Sequence, residues 1–360
     1  MTRSTALVCI LIATVTVPPA GAVDPDSSDV ERATAVERSL EAAGHERDAL
    51  AKRVDDLLWF ERVGDVAVID KVRIYGPPRW KEAEPTGIGA GNHLKFYAYV
   101  FTPREFRDIE RLPLLVLPHG GVHADFTTYY AHIVRELMAQ GYVVVAPEYR
   151  GSTGYGQGHW ESIDYGGREV GDCLAARDWA VANHPRVDAD RVGILGWSHG
   201  GLIALMSIFD HPDSYACAFA GVPVSNLVMR MGYLGPDYQA YYDADHHIGQ
   251  TPEQNLDEYK RRSPVYNVDK LSKPVRIHTN PHDEDVNVIE VEHLIQALTA
   301  AGKQFESQIY DVPGGHSFDR LDTPEAWEAR ADIYRFLARY LRPPQPDIPL
   351  GIGADGRAAP

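Results

Sequence analysis

Gly196-Trp197-Ser198-His199-Gly200-Gly201 stands between an apolar run, Arg191 to Leu195, and a segment with helical pattern, Gly200 to Phe209. That context is what a nucleophile elbow requires. The turn from strand to helix is so tight that the residues two before and two after the serine can carry little or no side chain. Glycine stands at both. The serine then sits at the tip, over the positive end of the new helix, placed to attack a carbonyl. A hydroxyl is a poor nucleophile at neutral pH and needs a base. In this arrangement the base comes last in the chain, from a loop after the final strand. Gly314-Gly315-His316-Ser317-Phe318 lies there, after the strand pattern Phe305 to Asp311. Of the 15 histidines, only His316 has that order and position.

An acid is needed between them, at the end of the preceding strand, to fix the imidazole tautomer and steady the imidazolium. Val275 to Thr279 reads as that strand, followed by Asn280-Pro281-His282-Asp283-Glu284-Asp285-Val286. In extended chain Glu284 points away from its two neighbours, which leaves Asp283 and Asp285 level. Two donors must also hold an oxyanion. The backbone N–H of His199 is one. The loop Gly120-Gly121, after the apolar strand Leu112 to Leu117, supplies the other. His119 and His123 have a spacing a metal could use, but no third ligand belongs to the pattern, and neither CxxC nor HExxH occurs. The sequence implies no metal and no cofactor.

Elements that position these groups follow from periodicity. Ser28 to Phe60 reads as one or two helices, and Val66 to Ile74 as a first strand ended by Gly76-Pro77-Pro78. His93 to Phe101 alternates like a half-buried strand. Continuous apolar strands (Leu112 to Leu117, Tyr142 to Ala146, Arg191 to Leu195, Tyr215 to Val222, Val275 to Thr279) then alternate with helical stretches. These are Tyr130 to Gln140, Glu169 to Ala182, Gly200 to Phe209, Val288 to Ala301 and Pro324 to Leu341. The fold class is α/β: a mostly parallel sheet covered on both faces, with strand C-termini along one edge. Residues 225–266 interrupt the rhythm with tyrosines at 233, 238, 241, 242, 259 and 266, and read as a cap over the site rather than an ordinary surface insertion. Trp197, Tyr233, Tyr241 and Tyr242 are the candidate substrate-pocket residues.

At 44% apolar residues the chain can bury a large core. Acidic residues outnumber basic ones 51 to 35, a formal charge of -16, which argues against nucleic acid or an anionic membrane as partner. Residues 1–22 have the form of a secretory leader: Arg3, the apolar run Ala6 to Val17, and Ala20-Gly21-Ala22 at the cleavage point. The run is too short for a permanent anchor. The expectation is a secreted or periplasmic protein starting near Val23, with a helical segment over 23–62, a hydrolase domain over 63–342 and a disordered tail over 343–360. Cys173 and Cys217 are expected as buried free thiols.

With these segments in view, the sequence resembles the prolyl-oligopeptidase family of serine peptidases, in its catalytic domain, from about Leu112 to Leu341. The resemblance is carried by His119-Gly120-Gly121, by Glu148-Tyr149-Arg150-Gly151-Ser152-Thr153-Gly154-Tyr155-Gly156, by Asp188 through Gly201, by Ser263-Pro264 and by Gly315-His316. It implies an α/β-hydrolase fold and peptide or amide substrates. It also implies that Asp283 is the acid, because the family's aspartate is followed by two variable residues and a valine, as Asp283 is by Val286. The family's HGxxD is one residue longer here, His278-Thr279-Asn280-Pro281-His282-Asp283. Larger members carry a β-propeller, and the stretch before the first core strand is too short and too helical for one. Access to the serine is then expected to depend on the Tyr-rich insertion or a neighbouring subunit of a homo-oligomer. The expected activity is acyl transfer from a peptide or small acyl substrate to water. Carboxylic-ester hydrolysis by the same triad is the alternative. A non-catalytic binding protein on this scaffold is disfavoured by the presence of every part of the site.

Overall fold

The computed structural model describes residues 27–81, 84 and 86–347, with side chains from residue 31 onward. The leader expected over 1–22 and the tail beyond 347 lie outside the described residues. In chain order the elements are α1 (Ser27–Val63), β1 (Ala67–Pro78), β2 (His93–Pro103), β3 (Leu112–Val116), α2 (Ala131–Gln140), β4 (Val143–Glu148), α3 (Gln157–Trp160), α4 (Arg168–Asn183) and β5 (Val187–Trp197). Then come α5 (His199–Asp210), β6 (Cys217–Gly221), α6 (Leu227–Tyr233), α7 (Pro236–Asp243), α8 (Leu256–Arg261), β7 (Val275–Thr279), α9 (Val288–Ala300), β8 (Glu306–Ile309) and α10 (Pro324–Leu341).

The strands form one sheet in the order β1-β2-β4-β3-β5-β6-β7-β8. The β1–β2 and β2–β4 pairs are antiparallel and all later pairs parallel. This is the mostly parallel sheet that the alternation of strands and helices implied, in the α/β-hydrolase arrangement that the resemblance implied. Strands β3 and β4 are buried along their whole length, which is why they read as unbroken apolar runs rather than alternations. Their side chains feed two core layers. Leu114, Val116, Val145, Ile194 and Ile277 pack on one face with residues of α4, α5 and α9. Leu115, Val144, Leu195 and Phe219 pack on the other with residues of α2 and α10. Cys173 and Cys217 are buried free thiols in different layers.

Local chemistry accounts for most boundaries. Thr323 caps α10 by accepting the Ala326 N–H, with Pro324 in the first turn, and Arg342 ends it in the left-handed region before Pro343. Strand β1 runs on through Pro77 and Pro78, past its expected end at Gly76. It is an edge strand, where proline removes no ladder bond, and its register slips between Tyr75 and Pro78. The insertion without visible period is three short helices. Asn226 and Asn255 cap α6 and α8 through their side chains, and Pro236 opens α7.

Two expected boundaries move. The chain divides at Ala43/Gly44, within α1, rather than near residue 62. Trp59 and Val63 are core residues of the α/β body, and Lys52 is buried in it. The tail, expected to be disordered from 343, is tethered through its described part: the Gln345 N–H donates to Gln140 O at the end of α2.

Candidate active site

Ser198 occupies the turn between β5 and α5 with φ 58° and ψ −121°, a backbone conformation that a residue with a side chain rarely adopts. Three hydrogen bonds hold it there. Its N–H donates to Gly221 O (2.9 Å), and its carbonyl accepts from Leu202 (3.0 Å) and Val224 (3.2 Å). The flanking glycines are obligatory. A Cβ on Gly196 would lie 2.4 Å from Gly200 O, and one on Gly200 would lie 2.4 Å from Pro118 O. Both obstacles are backbone and cannot swing away.

The acid comes from the loop after β7. His316 Nδ1–H points at both oxygens of Asp283, at 2.9 and 2.8 Å. The Asp283 carboxylate is fully buried, and its Oδ1 also accepts the N–H groups of Asp285 (2.9 Å) and Val286 (2.8 Å). That loop conformation aims one carboxylate inward. Asp285 turns outward, its side chain 48% exposed. Its Oδ1 accepts from Arg230 at 2.6 Å, and its Oδ2 lies 3.6 Å from His316 Nε2. Among the described residues no hydrogen bond joins Ser198 Oγ to the imidazole. Such contacts are commonly loose without substrate and tighten as it binds.

Glu284, set aside as a candidate acid, holds the histidine loop by another route. Its Oε2 accepts the His316 N–H at 3.1 Å, and backbone N–H donation, from Glu284 itself and from His316, keeps its carboxyl below the ordinary range. Gly314 and Gly315 both have positive φ, and a Cβ on Gly315 would meet Glu284 Oε2 at 2.1 Å. Arg320 donates to the His316 carbonyl, closing the other side. Spacing along the chain carries no sign of these two partners.

The glycine loop lies against the serine. A Cβ on Gly120 would stand 3.4 Å from Ser198 Cβ. The two glycines differ in their donors: the Gly120 N–H is turned to Tyr130 Oη (3.4 Å), whereas the Gly121 N–H meets no partner among the described residues. The His199 N–H opens α5, where no intrahelical acceptor exists. Of the expected oxyanion donors, Gly121 and His199 are therefore the two left open. Their loops are joined directly, because His199 Nδ1–H donates to Gly121 O (2.9 Å). The same ring stacks on Tyr165 at 3.7 Å, with Nε2 3.0 Å from Glu169 Oε1.

Beneath the far end of that loop sits Lys52 of α1. It is buried, donates to Phe126 O (2.6 Å), and pairs with Glu148 (2.5 Å) and Asp125 (2.9 Å). Burial works against the ammonium, but the two carboxylates more than offset it and hold its pKa above the ordinary value. Burial pushes Glu148 up to about 7, with the Lys52 ammonium opposing the rise and the Asp125 carboxylate adding to it. His119 and His123 are committed to carbonyls, Nδ1 of each lying 2.9 Å from Gly120 O and Gly151 O respectively. Arg150, from the Tyr-Arg-Gly segment, is fully buried. It grips Asp172 through two bonds of 2.7 Å and Pro77 O at 2.7 Å, tying α4 to β1.

Two of the four pocket candidates require correction. Trp197 is sealed in the core, with Nε1–H donating to Asp319 (2.8 Å), because the residue before the elbow serine still belongs to the central strand β5. Tyr242 is fully buried against Tyr165 and His247. Tyr233 spends its hydroxyl on Glu290 (2.7 Å) and accepts from Arg230 (2.9 Å). Tyr241 remains 46% exposed, its ring 6.1 Å from that of His123. The insertion reaches the site through Arg230 of α6, which binds both the carboxylate and the carbonyl (3.0 Å) of Asp285.

Comparison with known proteins places this geometry in a family. Over 266 residues the chain is 29% identical to an acylamino-acid-releasing enzyme of Arabidopsis thaliana, covering 72% of this chain and 34% of that protein. Over 298 residues it is 26% identical to dipeptidyl aminopeptidase BIII of Pseudoxanthomonas mexicana, covering 78% and 42%. Among solved structures it superposes on a puromycin hydrolase with a TM-score of 0.64 at 22% identity, over 79% of this chain and 41% of that one. An acylaminoacyl peptidase of Pyrococcus horikoshii gives 0.64 at 18% identity, over 81% and 44%. The chain thus spans less than half the length of these relatives. Residues 128–343 match the prolyl oligopeptidase family, more than half of the chain. The chain belongs to the prolyl oligopeptidase family of serine-type peptidases.

Proposed function

We propose that this chain cleaves peptide or amide bonds by acyl transfer to water, with Ser198 as nucleophile, His316 as general base and Asp283 as the acid that orients it. The observation carrying this reading is the buried Asp283 carboxylate on His316 Nδ1, which leaves Nε2 as the nitrogen available to a serine proton. Ser198 Oγ attacks the carbonyl as His316 takes its proton. The N–H groups of Gly121 and His199 stabilise the oxyanion, and Asp283 stabilises the imidazolium. His316 then protonates the leaving amine, and water, activated by the same imidazole, clears the acyl-enzyme. No cofactor takes part.

Aminoacyl p-nitroanilides compared with p-nitrophenyl acyl esters on the purified protein test the substrate class. Anilide turnover is expected, and ester turnover with no anilide or peptide cleavage would refute it. A fluorophosphonate probe tests the nucleophile: the wild type should label and Ser198→Ala should not. Equal labelling of both would sink the assignment. The reading also has the protein exported, on the sequence of residues 1–22 alone. N-terminal sequencing of the mature protein, expected to begin near Val23, checks this.

A further inference from the structure

The imidazole of His316 has a carboxylate near each of its nitrogens. Asp283 is bonded to Nδ1, and Asp285 Oδ2 lies 3.6 Å from Nε2, beyond hydrogen-bond distance. The two carboxylates are not equivalent for a general base. One on Nδ1 fixes the tautomer and leaves Nε2 free to take the serine proton. A second on Nε2 would hold a proton there and keep the ring as imidazolium, which accepts nothing. A small movement of Asp285 therefore separates a working base from a trapped one. Its side chain is half-exposed, and among the described residues Oδ2 accepts no hydrogen bond, so little packing opposes that movement.

Arg230 of α6 opposes it. Its guanidinium donates to Asp285 Oδ1 (2.6 Å) and to the Asp285 carbonyl (3.0 Å), gripping side chain and backbone together. The guanidinium itself is in no position to follow the carboxylate. It is buried, Nε donates to Tyr238 Oη (2.8 Å) and Nη1 to Tyr233 Oη (2.9 Å), and the buried Glu290 stands 3.8 Å away. We propose that Arg230 is a positioning residue: by holding Asp285 at two points, it keeps Nε2 of His316 open to the serine proton. The proposal rests on His316 being the general base. It also gives the insertion between β6 and β7 a use besides covering the site, since α6 acts on the histidine through the acid loop. Around the ring itself stand Glu284, on the His316 N–H, and Arg320, on its carbonyl, while Tyr129 meets the neighbouring Ser317. Tyr165 faces the Arg230–Asp285 pair. Among the described residues none of these is bonded to Nε2.

The second-order rate of fluorophosphonate labelling, followed from about pH 5 to about pH 9, reads the base form of His316 without any choice of substrate. In Arg230→Gln the freed carboxylate stabilises the protonated ring, so the acid limb should move up by about one pH unit. Labelling should be about tenfold slower below that limb, and the deficit should close as the pH rises past it. A general structural defect would slow labelling at every pH alike. Asp285→Asn alone should label much as the wild type does. The double variant Arg230→Gln/Asp285→Asn should recover the wild-type limb, because the trapping carboxylate is gone. An unmoved limb in folded Arg230→Gln would overturn the proposal, as would a double variant as slow as Arg230→Gln. Where circular dichroism shows Arg230→Gln unfolded, Arg230→Lys decides. It keeps a cation beside Glu290, but one ammonium does not reproduce the two-point grip, so the limb should still rise. A wild-type limb there would overturn the proposal. A wild type that does not label, or labels without an acid limb, would refute the triad, and this proposal only through it.

Discussion

Ser198 and His316 are held by opposite means. The serine is fixed by backbone packing. Gly196 and Gly200 meet main-chain oxygens, and three main-chain hydrogen bonds hold a positive φ. The histidine is fixed by side chains that arrive from elsewhere: Asp283 on its ring, Glu284 on its N–H and Arg320 on its carbonyl. Steric fixation leaves a compact signature along the chain, because it dictates which residues lack side chains. Fixation by ion pairs and hydrogen bonds leaves none, since any acidic residue within reach could do the holding.

This contrast can be broken from either side. The largest expected effect is on the histidine: Asp283→Asn should lower kcat by roughly a thousandfold to ten-thousandfold with the fold intact, read from steady-state kinetics and circular dichroism. A larger loss for Asp285→Asn than for Asp283→Asn would reverse the assignment of the acid. On the serine side, Gly200→Ala forces a methyl group onto Pro118 O and should cost about 2 to 3 kcal/mol in urea denaturation, with loss of fluorophosphonate labelling. Stability close to wild type would mean the elbow can relax. Glu284→Gln should lower kcat roughly tenfold with KM little changed, because the carboxylate positions the loop without touching substrate. Asp285→Asn should change kcat about threefold at most, its carboxylate being half-exposed and paired with Arg230.

The smallest effect is one of pH and belongs to the glycine loop. Burial pushes His119 down to about 3 and His123 down to about 4, against an ordinary value of 6.5. Below pH 6.5 the unfolded chain takes up protons that the folded one refuses. The stability they contribute is therefore present above pH 6.5 and is lost as the pH falls towards 3. Tm measured from pH 7 down to pH 4 should fall progressively, and His119→Gln should flatten that slope. An unchanged slope would mean His119 is solvated.

Much of the fold was legible in advance because buried parallel strands and amphipathic helices write their periods into the chain. The insertion was not. Its helices are each at most eight residues long, too short to display a period, and begin at local caps such as Asn226 and Asn255. Lys52 read as one charge among many on a helical segment. Its role exists only because Glu148, Asp125 and the Phe126 carbonyl converge on it. Trp197 and Tyr242 read as pocket aromatics on their proximity to the serine or its insertion, whereas packing had already claimed them.

The sequence by itself determined the order of serine, acid and histidine, the strand-to-helix turn and the glycines around it. Those depend on chain direction, hydrophobic period and the absence of a Cβ, all local properties. The residues alone left Asp283 and Asp285 level and the family's spacing favoured Asp283; tertiary structure set Asp283 on the ring and decided which glycine N–H stays open and which acidic residue holds the loop. It decided also that α1 buries a lysine while turning leucines outward. The hydrogen bonds among these join groups from 10 to 74 residues apart, and the residue at one end does not by itself name its partner at the other.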